Sequence, residues 1–248
     1  MITTTVLKSF PYLAKITSSP KKILFCFHHA GGSASVFYRY IREFSDIAIV
    51  PVELPAHGSR IKEAPVTNWQ ELINDICGDI LCVLEELKAP FSMIGCSLGS
   101  LLAFESTVKL LEFGRKPEKL VICSHSSPDV PSPGYKTNMG YERLIDEITL
   151  LSGTPVSIAD NEEMLEFYLP LIYNDYLLHD NYMYSGQRIN KTDIKVFCGS
   201  EDPYFDRGNM KNWERMSDGN NQYYEYEGGY FFLYETDNFY SVVKKAKI

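Results

Sequence analysis

The sequence predicts an α/β protein in which a mostly parallel central sheet is flanked by helices. Short apolar runs alternate with segments of helical period, and five of the six runs are apolar almost throughout. Continuous apolar character of this kind is typical of parallel strands, because helices cover both faces of their sheet. The predicted strands are residues 22–28, 47–54, 91–95, 119–124, 194–199 and 222–227.

Two helices are predicted in the N-terminal half. Apolar residues recur every three or four positions in NWQELINDICGDILCVLEELK (68–88), which is typical of an amphipathic helix, and Thr67 or Asn68 is its expected N-cap. A second helix is expected from about Leu98 to Phe113, because Gly114 is a favourable C-terminal signal.

The alternation of strands and helices breaks between about residues 128 and 190. A Pro-rich segment, SPDVPSPG, is followed by two helical patterns, MGYERLIDEITLLSG and NEEMLEFYLPLIYNDYLLHD, before the strand pattern resumes at Ile194. Inserted helices form a cap over the site in many α/β enzymes, so we predict one domain over 1–248 with a helical lid at 130–190. A separate helical domain is the alternative interpretation.

Composition and charge exclude several functions. The 248 residues are 45% apolar, enough for one sizeable core. The net charge of -8 and a pI near 5.2 argue against binding to nucleic acid or to an anionic membrane, and ordinary solubility explains the acidity. The N-terminal segment lacks the apolar core of a signal peptide and no apolar run approaches 18 residues, so we expect a cytoplasmic protein.

The cysteines show no pattern of disulfide or metal chemistry. Most of them lie within apolar runs, without a CxxC pair and without the spacing of metal ligands. We interpret all six as buried thiols of a reducing compartment: Cys26, Cys77, Cys82, Cys96, Cys123 and Cys198.

The strongest motif is GCSLG (95–99), which follows a predicted strand and begins a predicted helix. In a nucleophile elbow, two glycines let the chain turn sharply so that the serine hydroxyl is exposed at the end of the sheet. Ser97 is therefore the candidate nucleophile, and the backbone N–H of Leu98 faces any developing oxyanion. A helix that merely begins with small residues is the alternative.

Two further segments extend this site. The Gly-rich loop in CFHHAGGSASVF follows the first predicted strand, leads into another predicted helix, and places a second N–H, that of Ala30, where an oxyanion would form. By itself AGGS is also typical of a phosphate-binding turn. Asp202, in VFCGSEDPYF, follows a buried strand and is the candidate acid of a triad, although a plain Asp-Pro turn is the alternative.

Five segments together resemble one protein family: CFHHAGGSASVFYRY, VPVELPAHGSRIKE, IGCSLGSLLAFE, CGSEDPYF and YEGGYFFL. Their order and spacing are similar to those of type II thioesterases of nonribosomal peptide and polyketide synthesis, which have the α/β-hydrolase fold. The resemblance covers about residues 20 to 245. It implies hydrolysis of acyl or aminoacyl groups misloaded on the phosphopantetheine arm of carrier proteins, beneath a mobile helical lid.

The resemblance also assigns the site residues. It places the nucleophile at Ser97, the acid at Asp202 and the oxyanion N–H groups at Leu98 and Ala30. It implies acyl or peptidyl carrier proteins of a synthase as partners. We expect a monomer, and we expect no metal or organic cofactor, because the chemistry needs only side chains and water and the phosphopantetheine belongs to the substrate. Cys96 stands where the family has a histidine before the nucleophile, a side chain that is not the base.

Tyr230 occupies the position of the family's catalytic histidine. It follows Asp202 by 28 residues, in the order of nucleophile, acid and base that α/β-hydrolases share. A phenol with an ordinary pKa near 10 is protonated at neutral pH and is a poor general base, and the carboxylate of Asp202 disfavours its anion further. The sequence therefore predicts strongly reduced hydrolysis.

Three interpretations of Tyr230 remain open. Another histidine replaces the base, for which His29 in the oxyanion loop and His125 after a strand are the candidates. Alternatively, the protein binds an acyl-carrier substrate and carries out slow transfer, cyclisation or sequestration, or Tyr230 is a local replacement in an otherwise intact enzyme. A general esterase or lipase of the same fold is a further hypothesis. The other histidines, His28, His57 and His179, are structural, loop or lid candidates.

Overall fold

One parallel sheet of six strands organises the described part of the chain. The computed structural model describes residues 7–13, 19–131, 136–151, 162–204, 206–235 and 237–248. The strands are β1 (Lys22–Phe27), β2 (Ile47–Val52), β3 (Phe91–Cys96), β4 (Lys119–Cys123), β5 (Asp193–Gly199) and β6 (Gln222–Tyr226). Their order in the sheet is β2-β1-β3-β4-β5-β6, and every neighbouring pair is parallel. All six predicted strands are confirmed, with ends that differ by one or two residues.

Helices cover both faces of this sheet. The α-helices are α1 (Trp69–Leu87), α2 (Leu98–Glu112), α3 (Tyr141–Leu150), α4 (Glu162–Asp180), α5 (Arg207–Lys211) and α6 (Asn238–Lys245). Short 3₁₀ helices span Ala34–Arg42, Gly58–Arg60, Thr137–Met139, Asn212–Met216 and Phe232–Tyr234. The side chain of Asn68 accepts a hydrogen bond from the Glu71 N–H and so caps α1.

The alternation of side chains along each strand divides the core into two layers. In β1, Ile23, Phe25 and Phe27 pack with α1 and α2, whereas Leu24 and Cys26 pack on the other face with α6 and the 3₁₀ helix Ala34–Arg42. Because both faces of the sheet are covered, consecutive residues of a strand all have an apolar environment. This explains why the strands are apolar throughout.

The helix predicted after the Gly-rich loop is confirmed, and the structure adds its type. It is a 3₁₀ helix, whose hydrogen bonds join residues three apart, as from the Val36 N–H to the Ser33 carbonyl. The buried side chains Ala34, Phe37 and Tyr40 are spaced by three, which matches the three residues per turn of this helix.

One cysteine differs from its prediction. Cys82 is exposed, whereas the other five are buried. Cys82 lies on α1 but outside the buried face of this helix, which includes Leu72, Ile76 and Ile80.

The predicted insertion contains α3 and α4, which lie between β4 and β5 in the chain. Parts of the predicted lid, residues 132–135 and 152–161, lie outside the described residues. Its action as a lid remains a prediction. Among the described helices, none combines the length and apolar character that crossing a membrane requires.

Candidate active site

The loops that carry the candidate residues leave the sheet at one edge. Because all strands are parallel, the loops after β1, β3, β4, β5 and β6 begin at the same end of the sheet. They bring to one cavity residues that are far apart in the chain, among them Ala30, Ser97, Ser124, Asp202 and Tyr230. The cavity contains about 580 Å³ of empty space, including its open mouth.

Ser97 sits on the sharp turn between β3 and α2. Its backbone has φ 55° and ψ -124°, a conformation with positive φ that residues other than glycine rarely adopt. The turn requires glycine on both sides: a Cβ on Gly95 would lie 2.1 Å from the Gly99 carbonyl oxygen, and one on Gly99 would lie 2.3 Å from the Phe27 carbonyl oxygen. The turn has the geometry of a nucleophile elbow, with its serine side chain facing the cavity.

Ala30 and Leu98 lie beside this serine. Both residues line the same cavity as Ser97. Ala30 lies in the loop after β1, and Leu98 is the first residue of α2. The first N–H groups of a helix have no partner within the helix and carry partial positive charge. The arrangement is suited to stabilise negative charge that develops on a substrate oxygen near Ser97.

Tyr230 contacts the serine directly. Its hydroxyl donates a hydrogen bond to Ser97 Oγ at 2.5 Å. Burial, followed by the nearby hydroxyl of Tyr176, raises the pKa of Tyr230 well above its ordinary value of 10. The phenol is therefore neutral at physiological pH, and it acts on Ser97 as a donor instead of as a base.

The backbone around Tyr230 is held by its neighbours. Ser124, which follows β4 and has φ 50°, donates from Oγ to the Tyr230 carbonyl at 2.7 Å. Glu201 N–H donates to the Gly228 carbonyl at 2.9 Å, so the Gly-Gly turn is attached to the loop after β5. The tyrosine ring also contacts those of Phe231 and Tyr204. These contacts fix the direction in which the phenol enters the cavity.

Asp202 lacks the partner that a triad would supply. Its Oδ1 accepts the Tyr204 N–H at 2.8 Å, but its buried Oδ2 has no hydrogen-bond partner within the described residues. Burial raises the pKa of Asp202 from its ordinary value of 3.8 to about 6, and the Tyr204 N–H opposes this only in part. The cavity therefore contains Asp202, the candidate acid, but the hydroxyl of Tyr230 is directed to Ser97.

The two proposed substitute bases have other partners. His29 Nδ1 lies 3.1 Å from the Tyr234 hydroxyl, and burial lowers the pKa of His29 to about 4. His125 lines the cavity, but its Nδ1 faces the Ser126 carbonyl at 2.7 Å and its Nε2 faces His179 Nε2 at 3.2 Å. Burial, and then His179, lower the pKa of His125 to about 3. Within the described part of the chain, neither histidine is hydrogen-bonded to Ser97.

The helices between β4 and β5 complete the wall of the cavity. Glu147 of α3 and Tyr176 and His179 of α4 line it, and the Tyr204 hydroxyl donates to Glu147 at 2.6 Å. This part of the wall therefore combines a carboxyl group, a phenol and an imidazole. In the described ranges, no three His, Cys, Asp or Glu side chains are grouped as ligands of a metal ion.

Sequence reasoning missed three residues of the site. Ser124, Glu147 and Tyr204 contact the candidate triad or line its cavity. Ser124 is the last residue of the predicted strand 119–124, and this place at the carboxyl end of a buried strand is the signal that would have found it. Tyr204 lies in the same segment as Asp202, and Glu147 lies in a predicted lid helix. Only tertiary contacts show that the side chains of Tyr204 and Glu147 reach the cavity.

The sheet order, the elbow after the third strand and the helices inserted after the fourth define a class, the α/β-hydrolase fold. A solved structure of the same fold is the type II thioesterase BorB from the borrelidin biosynthetic cluster, with a TM-score of 0.82 and 24% identity over 93% of this chain and 94% of that chain. The Thioesterase domain family model matches residues 22–247, and the chain therefore belongs to the thioesterase family.

Relatives with known names support the same assignment. The chain is 27% identical to the gramicidin S biosynthesis protein GrsT of Aneurinibacillus migulanus, over 90% of this chain and 87% of that protein. It is 28% identical to thioesterase PikA5 of Streptomyces venezuelae, over 85% of this chain and 75% of that protein. The resemblance to type II thioesterases seen in the motifs is confirmed.

Proposed function

We propose that this chain is a monomeric type II thioesterase relative that acts on acyl or aminoacyl thioesters of carrier proteins, and that its hydrolysis is strongly reduced by Tyr230. The names of GrsT and BorB, which refer to gramicidin S biosynthesis and to the borrelidin biosynthetic cluster, support the substrate class. The reaction uses side chains and water, and the phosphopantetheine belongs to the substrate.

In the proposed reaction, Ser97 Oγ attacks the thioester carbonyl, and the N–H groups of Ala30 and Leu98 stabilise the oxyanion. The thiol then leaves and an acyl group remains on Ser97. Both this step and the later attack by water need a base that removes a proton. A neutral Tyr230 that donates to Ser97 supplies no such base, and its hydrogen bond occupies a lone pair of the attacking oxygen.

The observation that carries this proposal is the 2.5 Å hydrogen bond from Tyr230 to Ser97, beside a buried Asp202 Oδ2 that no described residue contacts with a hydrogen bond. An imidazole at position 230 would offer an acceptor to the serine hydroxyl and an N–H to the carboxylate. Enzymes that lose one member of such a triad retain about 10³ to 10⁴ of acceleration over water, from the oxyanion hole and from binding. Slow turnover is therefore the expected behaviour.

The substitution Y230H tests this proposal. With an acyl-pantetheine thioester as substrate, we expect kcat to rise by at least about 10² in Y230H, because the base step is restored. The matched control is Y230F, which removes the hydroxyl without supplying a base and should give no comparable gain. An inactive but folded Y230H protein, or an equal gain in Y230F, would contradict the assignment of position 230 as the missing base.

A second candidate function follows from the same hydrogen bond. If Ser97 is acylated slowly, the resulting ester has no base beside it to activate water, and it would persist long enough for transfer or cyclisation. Intact-protein mass spectrometry after incubation with an acyl-carrier protein distinguishes the two. A lasting adduct that is absent from S97A favours transfer, whereas unchanged carrier affinity in S97A with no adduct favours a binding role. Faster reaction of the carrier-bound acyl group than of a free ester excludes a general esterase.

A further inference from the structure

A buried ion pair joins α4 to the Gly-rich loop. Asp175 Oδ2 accepts two hydrogen bonds, from the Gly31 backbone N–H at 2.6 Å and from His57 Nε2 at 2.9 Å. The two side chains are almost completely buried, with 7% of Asp175 and 2% of His57 exposed. One carboxylate oxygen therefore connects the loops after β1 and β2 to the helix inserted between β4 and β5.

Geometry determines the charge of His57. Its Nδ1 lies 2.8 Å from the Pro55 carbonyl oxygen and its Nε2 faces the Asp175 carboxylate, so both nitrogens face acceptors and both carry a proton. Burial alone would lower the pKa of His57, but Asp175, the Pro55 carbonyl and Glu53 outweigh it and raise the pKa. The pair is thus an imidazolium and a carboxylate.

The other titratable groups around this pair leave the charge assignment unchanged. The ring of His28 lies 5.1 Å from that of His57, and burial lowers its pKa to about 3, so that it is neutral. His29 is neutral for the same reason. The buried carboxylate of Glu53 accepts the backbone N–H groups of Ala34 and Ser59. His57 is therefore the group in this cluster that balances Asp175.

The bonded loop is a tight turn that contains Ala30. Gly32 N–H donates to the His29 carbonyl at 3.0 Å, and His28 Nδ1 lies 2.8 Å from the same oxygen. That carbonyl shares a peptide group with the Ala30 N–H, so its anchoring sets the direction of the N–H. The next peptide group of the turn is held by Asp175 through the Gly31 N–H.

Helix α4 also packs closely against the turn. Gly31 has φ 74°, and a Cβ there would lie 2.6 Å from Ile172 Cγ1, about one turn before Asp175 on α4. The turn therefore has no room to rotate toward α4 while Asp175 holds its N–H.

We propose that Asp175 is a positioning residue that holds the Ala30 turn in the orientation needed for an oxyanion hole, with His57 as its counterion. This rests on the proposed function, in which Ala30 supplies one of the oxyanion donors. Attachment of α4 and assembly of the oxyanion hole are then one event, because the same carboxylate makes both contacts.

Two substitutions separate the hydrogen bonds from the charge. D175A removes both, and the amide exchange of residues 29–33 should become at least tenfold faster at pH 7. D175N removes the charge and keeps both bonds, since its amide oxygen, in the place of Oδ2, accepts the Gly31 N–H and the Nε2–H of a neutral His57. In D175N, the exchange rate of residues 29–33 should stay within about threefold of that in the unsubstituted protein. The control D180N removes a charge five residues further along α4, where Asp180 accepts the Thr137 N–H, and should leave residues 29–33 unchanged.

The pH dependence gives an independent readout. In the parent, His57 loses its proton as pH rises through its raised pKa, which leaves Asp175 unbalanced, so protection of residues 29–33 should decrease at alkaline pH after correction for intrinsic exchange. D175N should lack this decrease. Unchanged exchange of residues 29–33 in D175A, or the same alkaline decrease in D175N, would overturn the proposal.

Activity then tests the oxyanion role. In the Y230H background, D175A should lower kcat about tenfold to hundredfold with little change in KM, because the oxyanion forms in the transition state. A loosened turn with unchanged kcat would refute the role of Asp175 in catalysis. If Y230H itself is inactive, the proposed function fails, while the exchange measurements still decide whether Asp175 holds the turn.

Discussion

At the scale of a single residue, the carboxyl group of Asp202 is buried with an incomplete set of hydrogen bonds. Its Oδ2 is buried without a partner in the described part of the chain, and its pKa is raised to about 6. A carboxyl group whose pKa is raised in the folded state stabilises the fold when protonated. That contribution is complete below 3.8 and is lost as pH rises through about 6. Above this pH, the folded protein contains a poorly solvated charge.

The substitution D202N should therefore stabilise this protein at pH 7.5. The difference between pKa values of 3.8 and about 6 corresponds to at most about 3 kcal/mol, so we expect a gain of roughly 1 to 3 kcal/mol in the free energy of unfolding. The gain should be absent near pH 3.5, where both pKa values lie above the pH. Urea denaturation at the two pH values measures it.

The same substitution in the Y230H background is the matched control. There the imidazole N–H supplies Asp202 with a partner, and removing the charge should cost stability or leave it unchanged. An equal gain from D202N in both backgrounds would show that the missing partner is not the cause.

At the scale of elements, the close approach of β1 to α2 makes the elbow possible. The first turn of α2 lies against the end of β1, so that Gly99 touches the Phe27 backbone without room for a methyl group. Both sides of this contact are backbone atoms, which cannot rotate away as a side chain would. The position of Ser97 at the cavity thus depends on the packing of two neighbouring elements.

The substitution G99A should be strongly destabilising, because a Cβ would lie 2.3 Å from the Phe27 carbonyl oxygen. We expect a loss of about 3 kcal/mol or more in the free energy of unfolding. Gly78 is a matched control on α1, where no atom lies within 4 Å of an added Cβ. G78A should stabilise the protein by about 0.5 to 1 kcal/mol through helix propensity. Similar effects of the two substitutions, measured by urea denaturation, would contradict the close contact.

At the scale of the whole molecule, the sheet has two unlike edges. Both β2 and β6 pair with one neighbour, but β2 is buried almost throughout, beside the 3₁₀ helix Ala34–Arg42, whereas residues of β6 are exposed or half-buried. The edge next to the candidate triad is thus the less protected one. Tyr230 lies directly after this strand.

Amide hydrogen exchange should reflect this asymmetry. We expect β1, β3, β4 and β5 to exchange only through global unfolding, β2 to follow them closely, and β6 to exchange faster by at least tenfold through local opening. The measurement is exchange followed by mass spectrometry of peptides from each strand. Equal protection of β6 and β4 would contradict a weakly held edge.

Local chemistry explains why much of the fold was predictable. The apolar runs of β1 and β3, the capped period of α1 and the GCSLG elbow each follow from interactions among residues close in the chain. A helix was predicted after the Gly-rich loop, but its 3₁₀ type was not, because its period of three is set by packing on the sheet. The roles of Ser97, Asp202, Ala30 and Leu98 remain proposals, although the structure brings all four to one cavity.

The sequence by itself determined the order of elements, the elbow motif and the place of Tyr230 at 28 residues after Asp202. Only the tertiary structure decided that Tyr230 donates to Ser97, that Asp202 Oδ2 has no hydrogen-bond partner among the described residues, and that Asp175 accepts the Gly31 N–H across 144 positions of the chain. The physical reason is that hydrogen-bond partners and pKa values depend on distances of a few ångströms between segments remote in sequence. These segments come within such distances only when the parallel strands have formed the sheet and placed their loops at the same edge.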